Sequence, residues 1–203
     1  MNKIKSFKFL PYTVLLSTML FFGGCAGSVK HMQEVPASSI KTKPSPGKAM
    51  VVFLRPSSLG FGIQSSVYEI RRNIPHMVGI VAAKKKVAYE VNPGKHTFMV
   101  VSESGDFMTA NLLANKTYYA LVTPRMGVWK ARFSLKAIHS NELNSATFNK
   151  WLNECKWVRK TSDSTNWANK NSSSIQSKFT GNYNKWLSKP ANKRPHLSPR
   201  DGK

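Results

Sequence analysis

Short β-rich runs, each followed by turn residues, fill the chain from Ala49 to Ala137 and constrain its fold more than any other feature. The runs are Met50–Arg55, Ser66–Ile70, Met77–Val81, Val87–Val91, His96–Val101, Phe107–Leu113, Thr117–Thr123 and Val128–Ala137. No helical period intervenes, and such regular spacing is typical of an antiparallel sandwich. We therefore predict a mainly β fold over residues 48–138, an antiparallel, immunoglobulin-like β-sandwich of about seven to eight strands.

The last run shows how one face of a strand would be buried. Apolar and polar side chains alternate along it: Trp129, Ala131, Phe133 and Leu135 against Lys130, Arg132, Ser134 and Lys136. Because successive side chains of a strand point to opposite faces, this pattern places one face in the core and the other in water.

The period changes to that of a helix after Ile138. An apolar stripe, formed by Phe148, Trp151, Leu152, Cys155 and Val158, predicts a helix from Ser140 or Asn141 to about Arg159. A second helix is predicted from Asp163 or Ser164 to a point before Pro190. We expect the two to form a C-terminal helical hairpin over residues 139–189. Prolines and basic residues leave residues 190–203 little apolar surface, which predicts a disordered basic tail.

The N-terminus has the order of charge and hydropathy found in export signals. Residues 1–8 include lysines and no acids, and the uncharged, mostly apolar stretch Phe9–Phe22 follows. This stretch falls short of the roughly 20 residues that a membrane span requires. It ends in Gly23-Gly24-Cys25 and resembles a bacterial lipobox, which implies a lipoprotein signal peptide over residues 1–24 and lipidation of Cys25. Ordinary cleavage after Ala26 is the alternative.

The lipoprotein resemblance has consequences for location. A diacylglyceryl group on the Cys25 sulfur, usually with an acyl chain on its amine, would hold the chain at the membrane essentially permanently. Ala26 rather than Asp after the cysteine implies the outer membrane, on its periplasmic side. Residues 25–47 contain Pro, Ser and Gly and few large apolar groups, so we predict a lipidated, flexible tether that averages roughly 25 Å end to end.

A formal net charge of +22 at pH 7 would attract anions of several kinds. Export and the lack of any nucleic-acid-binding motif favour partners other than nucleic acid, namely an anionic cell-wall glycan, lipopolysaccharide or a periplasmic protein. The candidate anion or glycan contacts are Arg71, Arg72, Lys84, Lys85, Lys86, Trp157 and Trp167. The alternatives are a solvated hairpin tip for the three lysines and packing onto the sandwich for the tryptophans.

Three short motifs carry a family resemblance. Leu54–Ser58, Asn92–Thr97 and Lys116–Tyr119 are similar to an R-P-S strand end, a "PGKHT" hairpin and a "KTYY" strand start. These are signatures of a family of small bacterial lipoprotein domains of unknown function. The resemblance covers about residues 48–138, and it implies no catalytic residue.

Residues that could carry chemistry are scattered. The five histidines, His31, His76, His96, His139 and His196, fall in separate segments without metal-ligand spacing, so we expect no metal and no cofactor. Cys155 is either a buried inert thiol or a thiol that is reactive or forms an intermolecular disulfide. We therefore expect a non-enzymatic binding or assembly module of the cell envelope. The alternative is a periplasmic hydrolase whose scattered catalytic set includes His96 or His139.

Overall fold

The structure is a computed structural model that describes residues 29–125 and 132–203. The predicted signal peptide, Cys25 and the first part of the alternating run at residues 128–131 lie outside the described residues. The strands are β1 (Met32–Val35), β2 (Ala49–Arg55), β3 (Ser65–Arg71), β4 (Ile74–Val81), β5 (Lys85–Val91), β6 (Gly94–Val101), β7 (Gly105–Leu112), β8 (Thr117–Arg125), β9 (Arg132–Ala137), β10 (Lys156–Lys160) and β11 (His196–Leu197). The α-helices are α1 (Ala146–Glu154), α2 (Ser162–Lys170) and α3 (Ser172–Leu187).

The mainly β prediction is confirmed, and each predicted run coincides with a strand among the described residues. One sheet has the order β1-β10-β5-β2-β8-β9 and the other β11-β7-β6-β3-β4. Both sheets are mixed, because β2 runs parallel to β8, β10 to β5, and β11 to β7. The prediction of purely antiparallel sheets is therefore wrong. The sheets are mixed because consecutive strands change sheet: β4 and β6 lie in one sheet and β5 in the other.

Because of this change of sheet, the predicted hairpin turn at Asn92–Gly94 has a different structural role. The Asn92–Gly94 turn joins β5 to β6, which belong to different sheets, so it does not close a β-hairpin. Gly94 has φ of +119°, a conformation that favours glycine. The turn therefore passes the chain across one end of the core.

The main core lies between the two sheets. Phe53 of β2 meets Phe98 of β6 edge-on, with ring centroids 5.1 Å apart, and both are fully buried. Burying a side chain of this size contributes about 1.5–3 kcal/mol. The predicted alternation on β9 is confirmed for its described part, where Phe133 and Leu135 are buried and Lys136 is exposed.

The prediction of a flexible tether over residues 25–47 is wrong in its described part. Met32–Val35 forms an edge strand that pairs antiparallel with β10. Further along, the backbone N–H of Ser45 donates to Glu90 Oε2 at 2.7 Å. Both partners are distant in sequence, so composition alone could not indicate this order.

The C-terminal helical hairpin is also wrong. The first helix ends at Glu154, and Lys156–Lys160 becomes β10, which lies in the sheet between β5 and the edge strand β1. The helices then lie on opposite outer faces. Phe148 of α1 packs in a cluster with Met50 and Leu54 of β2, whereas α2 and α3 cover the other sheet.

The prediction of a disordered tail at residues 190–203 is wrong as well. His196–Leu197 pairs in parallel with β7, and Leu197 is fully buried. The backbone N–H of Lys203 donates to the Thr117 carbonyl at 3.1 Å. A few anchors of this kind order the segment although its composition is polar.

Candidate anion-binding cleft

A cleft opens where β3 and β4 meet helices α2 and α3. Its volume is about 610 Å³, within the range of small-molecule sites. Lining side chains include Tyr68, Arg71, His76, Lys160, Asn169 and Gln176, and we call it the Arg71 cleft. It lies at the end of the core where β3 stops.

The β3–β4 turn sets the position of Arg71. Arg72 and Asn73 both have positive φ, 50° and 62°, as in the two-residue turns that suit the twist of β-hairpins. Arg71 pairs with Ile74 as the last residue of β3. The predicted contacts Arg71 and Arg72 are therefore brought to the same end of the molecule.

A buried carboxylate fixes the Arg71 side chain. Glu69 is 3% exposed, and its Oε2 accepts hydrogen bonds from Arg71 Nε at 2.6 Å and Tyr89 Oη at 2.8 Å. Its Oε1 lies 2.7 Å from His96 Nδ1. Burial alone would raise the pKa of Glu69, but the hydrogen bonds from His96, Arg71 and Tyr89 outweigh it and lower the pKa to about 2. The carboxylate is therefore ionised, and both of its oxygens are hydrogen-bonded inside the protein.

The cleft itself is electropositive. Arg71, His76 and Lys160 line it, and no acidic residue is among its described lining residues. Lys160 Nζ donates to the Met77 carbonyl at 2.8 Å. Burial lowers the pKa of Lys160, and the charge of Arg71 lowers it further. Arg71 and Lys160 together outnumber the buried Glu69 carboxylate by one positive charge, so the cleft favours the binding of an anion.

Arg71 keeps donor capacity on its open side. Its hydrogen bonds to Glu69 and Tyr89 employ Nε and Nη2. Its side chain is 52% exposed. A guanidinium held in this way presents a planar, preoriented fork to a carboxylate or phosphate.

Uncharged groups that could bind hydroxyls lie near Arg71 and Lys160. The hydroxyl of Tyr68 is buried; the side chain of Ser66 lies near it, although outside normal hydrogen-bond geometry in the described part of the chain. Burial raises the pKa of Tyr68 to about 12, so the group stays a neutral donor. Asn169 and Gln176 line the same cleft from α2 and α3. Such a set suits a polyhydroxylated ligand that carries an acidic group.

A second concavity of about 660 Å³ lies on the other side of Arg71. Its lining includes Lys48, Arg72 and Lys95, together with Glu69 and Glu90. Glu90 accepts hydrogen bonds from Ser45. Arg71 is thus shared by two concave surfaces, of which only the Arg71 cleft lacks acidic lining residues among those described.

The three predicted lysine contacts lie elsewhere. Lys84 pairs with Glu154 at 2.6 Å, and Lys85 is 2% exposed and pairs with Glu34. Lys86 donates to the Leu152 carbonyl and lies 4.5 Å from the ring centroid of Trp157. A solvated hairpin tip is therefore the wrong interpretation for Lys85 and Lys86, because their ammonium groups are satisfied inside the fold. The structure does not bring them to the Arg71 cleft.

Trp157 and Trp167 are also apart from each other. Trp157 belongs to β10 and packs against the cluster around α1. Trp167 lies on α2, where it stacks near His31 with ring centroids 6.1 Å apart. Packing explains both placements.

The two histidines of the hydrolase hypothesis have structural partners. His96 has Glu69 on Nδ1 and the Asn92 carbonyl 2.9 Å from Nε2, so both ring nitrogens are occupied. His139 Nδ1 lies 3.2 Å from Asp201 Oδ2, and the hydroxyl of Ser198 donates to the same oxygen at 2.9 Å. A triad requires the hydroxyl at the imidazole, whereas Ser198 bonds to the carboxylate.

The sequence did not predict three residues that lie around Arg71: its partners Glu69 and Tyr89, and Lys160 of the cleft. They come from β3, β5 and β10, whose convergence depends on the changes of sheet. One signal was available. Glu69 lies two residues after Val67 on the inward face of β3, and a carboxylate at a core position indicates a buried partner.

Comparison with known proteins gives no family. No protein-family model matches the sequence. A search of the curated proteins finds no significant match. Within residues 29–125 and 132–203, no helix has the length and hydropathy to cross a membrane, and no group of three or more His, Cys, Asp or Glu side chains could hold a metal ion.

Proposed function

We propose that this chain is a cell-envelope lipoprotein that binds an anionic cell-wall glycan in the Arg71 cleft without reacting with it. Its place is the periplasmic face of the outer membrane. The observation that carries the proposal is the convergence of Arg71, His76 and Lys160 on one cleft whose described lining has no acidic residue.

The anchor is supported by the order of the N-terminal sequence. A basic start, an uncharged apolar stretch and Gly23-Gly24-Cys25 resemble a lipoprotein export signal, with Phe22 where an aliphatic residue is usual. Acyl chains on Cys25 would keep the protein at the membrane, since two or more chains bind essentially permanently. The resemblance of residues 48–138 to small lipoprotein domains remains a prediction. The same holds for the resemblance of the two packed sheets to immunoglobulin-like sandwiches.

The chemistry of the cleft favours a glycan with carboxylates over a fully neutral sugar. Arg71 can pair bidentately with a carboxylate, and Lys160 adds a second positive charge. Asn169 and Gln176 offer amide groups for sugar hydroxyls and amides, whereas the Tyr68 hydroxyl is buried beside them. Lipopolysaccharide phosphates would use the same cations, and a periplasmic protein is the third candidate partner.

Binding to soluble peptidoglycan fragments, measured by titration calorimetry beside lipopolysaccharide, tests the cleft. Lys160→Gln removes a cation without touching the Glu69 hydrogen bonds, and Arg71→Gln removes the fork. Each is expected to weaken binding about 10-fold or more, because a charged hydrogen bond is worth about 1.5–3 kcal/mol. Lys136→Gln, at an exposed site that pairs with Glu142, is the matched control and should leave affinity unchanged.

The outcomes separate the partners. Equal affinity in Lys160→Gln and Lys136→Gln would remove the cleft from the proposal. Binding to lipopolysaccharide alone would keep the cleft and change the ligand. A wild-type protein that binds neither molecule contradicts the glycan assignment and favours a protein partner.

Lipidation has its own test. Cells fed a palmitate analogue should label the wild-type chain and the Cys155→Ser variant, and should not label Cys25→Ser. Cys155 is the only other cysteine, which makes it the matched control. Label retained in Cys25→Ser would refute the anchor.

The hydrolase alternative has less support. Both ring nitrogens of His96 already have hydrogen-bond partners. Asp201, beside His139, also accepts the backbone N–H groups of Ser140 and Ser198, at 3.0 and 2.7 Å. These bonds tie the C-terminal segment to the loop after β9, which is a structural role.

A further inference from the structure

We propose that the loop of residues 56–64, here the Phe61 loop, inserts its apolar side chains into the surface of an anionic phospholipid bilayer beside the lipid anchor. The inference rests on the anchoring part of the proposed function. It concerns a surface at the opposite end of the core from the Arg71 cleft.

The Phe61 loop displays apolar side chains to solvent. Leu59, Phe61 and Ile63 are 55%, 80% and 41% exposed. Single exposed apolar residues are ordinary, but three within one short loop form the kind of patch that marks an interaction site. The other large exposed apolar residues of the described chain, Ile74, Leu113 and Leu187, lie apart from one another, in β4, after β7 and in α3.

A buried arginine holds the loop in this shape. The guanidinium of Arg55, fully buried at the end of β2, donates to the carbonyls of Leu59, Gly60 and Ile63 at 2.8, 2.7 and 2.6 Å. These carbonyls are thus satisfied from inside the protein. A backbone satisfied in this way enters an apolar medium at lower cost, since an unpaired polar group is expensive there.

The chain from the anchor reaches the fold beside this loop. Lys30, His31 and Ile63 line one cavity of about 370 Å³. Four residues, Cys25 to Ser28, precede Val29, which is buried. At full extension they span about 14 Å, so a lipid on Cys25 would hold this end of the protein at the bilayer surface.

Basic groups surround the apolar side chains. Lys30 and Lys178 line the cavity next to Ile63, together with the single acid Glu103. β8 runs parallel to β2, so exposed Arg125, which pairs with Asp106 at 3.9 Å, and its neighbour Arg132 lie at the same end of the sheet. Apolar side chains within a rim of Lys and Arg match a bilayer that contains anionic headgroups. This complementarity selects a bilayer rather than a protein as the occupant.

Environment-sensitive labelling of the lipidated, full-length protein tests the inference. Phe61→Cys and Leu113→Cys would each be labelled with the fluorophore NBD, because the Cys25 thiol is consumed by the lipid and Cys155 is 2% exposed. Leu113 is a matched control, since it is 47% exposed and follows β7 at the far end of the sheet. Both proteins would be reconstituted into phosphatidylethanolamine–phosphatidylglycerol vesicles and recovered by flotation.

NBD at position 61 should shift its emission to the blue and be quenched by doxyl-labelled lipid several-fold more strongly than NBD at position 113. Equal quenching at the two positions in floated protein would overturn the loop inference and leave the anchor intact. Protein that fails to float would overturn the anchor, and this inference with it. A blue shift in native membranes without one in vesicles would assign the loop to a protein partner instead.

Discussion

The α-carbon of Gly202 lies against the ring of Tyr118. A Cβ atom added there would stand 2.6 Å from Cζ of that ring and 2.9 Å from Cβ of Lys116. The approach is close because Lys203 and Thr117 exchange backbone hydrogen bonds of 2.8 and 3.1 Å. The C-terminus is thereby fastened to the start of β8.

Gly202→Ala is therefore expected to destabilise the protein by about 1–3 kcal/mol, the range for overpacking a close contact. Gly181→Ala is the matched control, since Gly181 is exposed within α3 and an added Cβ would meet nothing within 4 Å. That control should be neutral or stabilising by up to about 1 kcal/mol, as alanine is the better helix former. Urea unfolding measures both, and equal stability in the two variants would show that the C-terminus is not docked.

The sequence predicted the strands whose signal is local. β2 to β9 each carry β-branched or aromatic residues in a run bounded by turn residues, and the structure confirms them in the described chain. β1, β10 and β11 are short, and their order comes from pairing. Val158 of β10, for example, is fully buried beside Glu34 of β1, its partner across more than a hundred residues. No local pattern contains that information.

The candidate site could be predicted only in part, again because local patterns do not show which distant strands pair. Arg71 and Arg72 follow a clear strand, so they could be proposed as contacts. Lys160 joins Arg71 only because β10 adds to the sheet beside β5, which also supplies Tyr89. A site built from three strands of two sheets can be predicted only when the sheet topology is known. The sequence favoured antiparallel sheets, whereas both sheets are mixed.

Arg55→Lys tests how the Phe61 loop is held. Lysine keeps a charge but lacks the planar fork that reaches three carbonyls, so the loop should loosen. It also loses the stacking of the guanidinium carbon 4.4 Å from the Phe133 ring centroid. We expect a loss of about 2–4 kcal/mol in unfolding free energy and faster proteolysis between residues 56 and 64. A cleavage rate equal to that of the wild type would contradict this role.

Cys155 is expected to be unreactive in the folded protein. It is 2% exposed, and burial raises the pKa of its thiol to about 11, so almost no thiolate is present near neutral pH. A thiol reagent such as DTNB should react with the unlipidated Cys25→Ser chain only after urea is added. The exposed Phe61→Cys variant in the same background is the positive control. Rapid modification of Cys155 without urea would instead favour the intermolecular disulfide.

Glu69→Gln should remove an acid-sensitive part of the stability. The folded pKa of Glu69, about 2, lies below its ordinary value of 4.5, so the folded state binds this proton less readily than the unfolded state. The contribution is therefore complete above about pH 4.5 and is lost as the pH falls towards 2. A shift of this size corresponds to about 3 kcal/mol.

Urea unfolding of the wild type and Glu69→Gln at several pH values measures this contribution. The variant should be less stable by about 3 kcal/mol at neutral pH and approach the wild type near pH 2. Glu154→Gln is the matched control, because its carboxylate forms exposed ion pairs with Lys84 and Lys150, and solvent screening leaves such pairs little effect on stability. If Glu69→Gln kept the wild-type dependence on pH below 4.5, the folded pKa of Glu69 would not be lowered by its hydrogen bonds to His96, Arg71 and Tyr89.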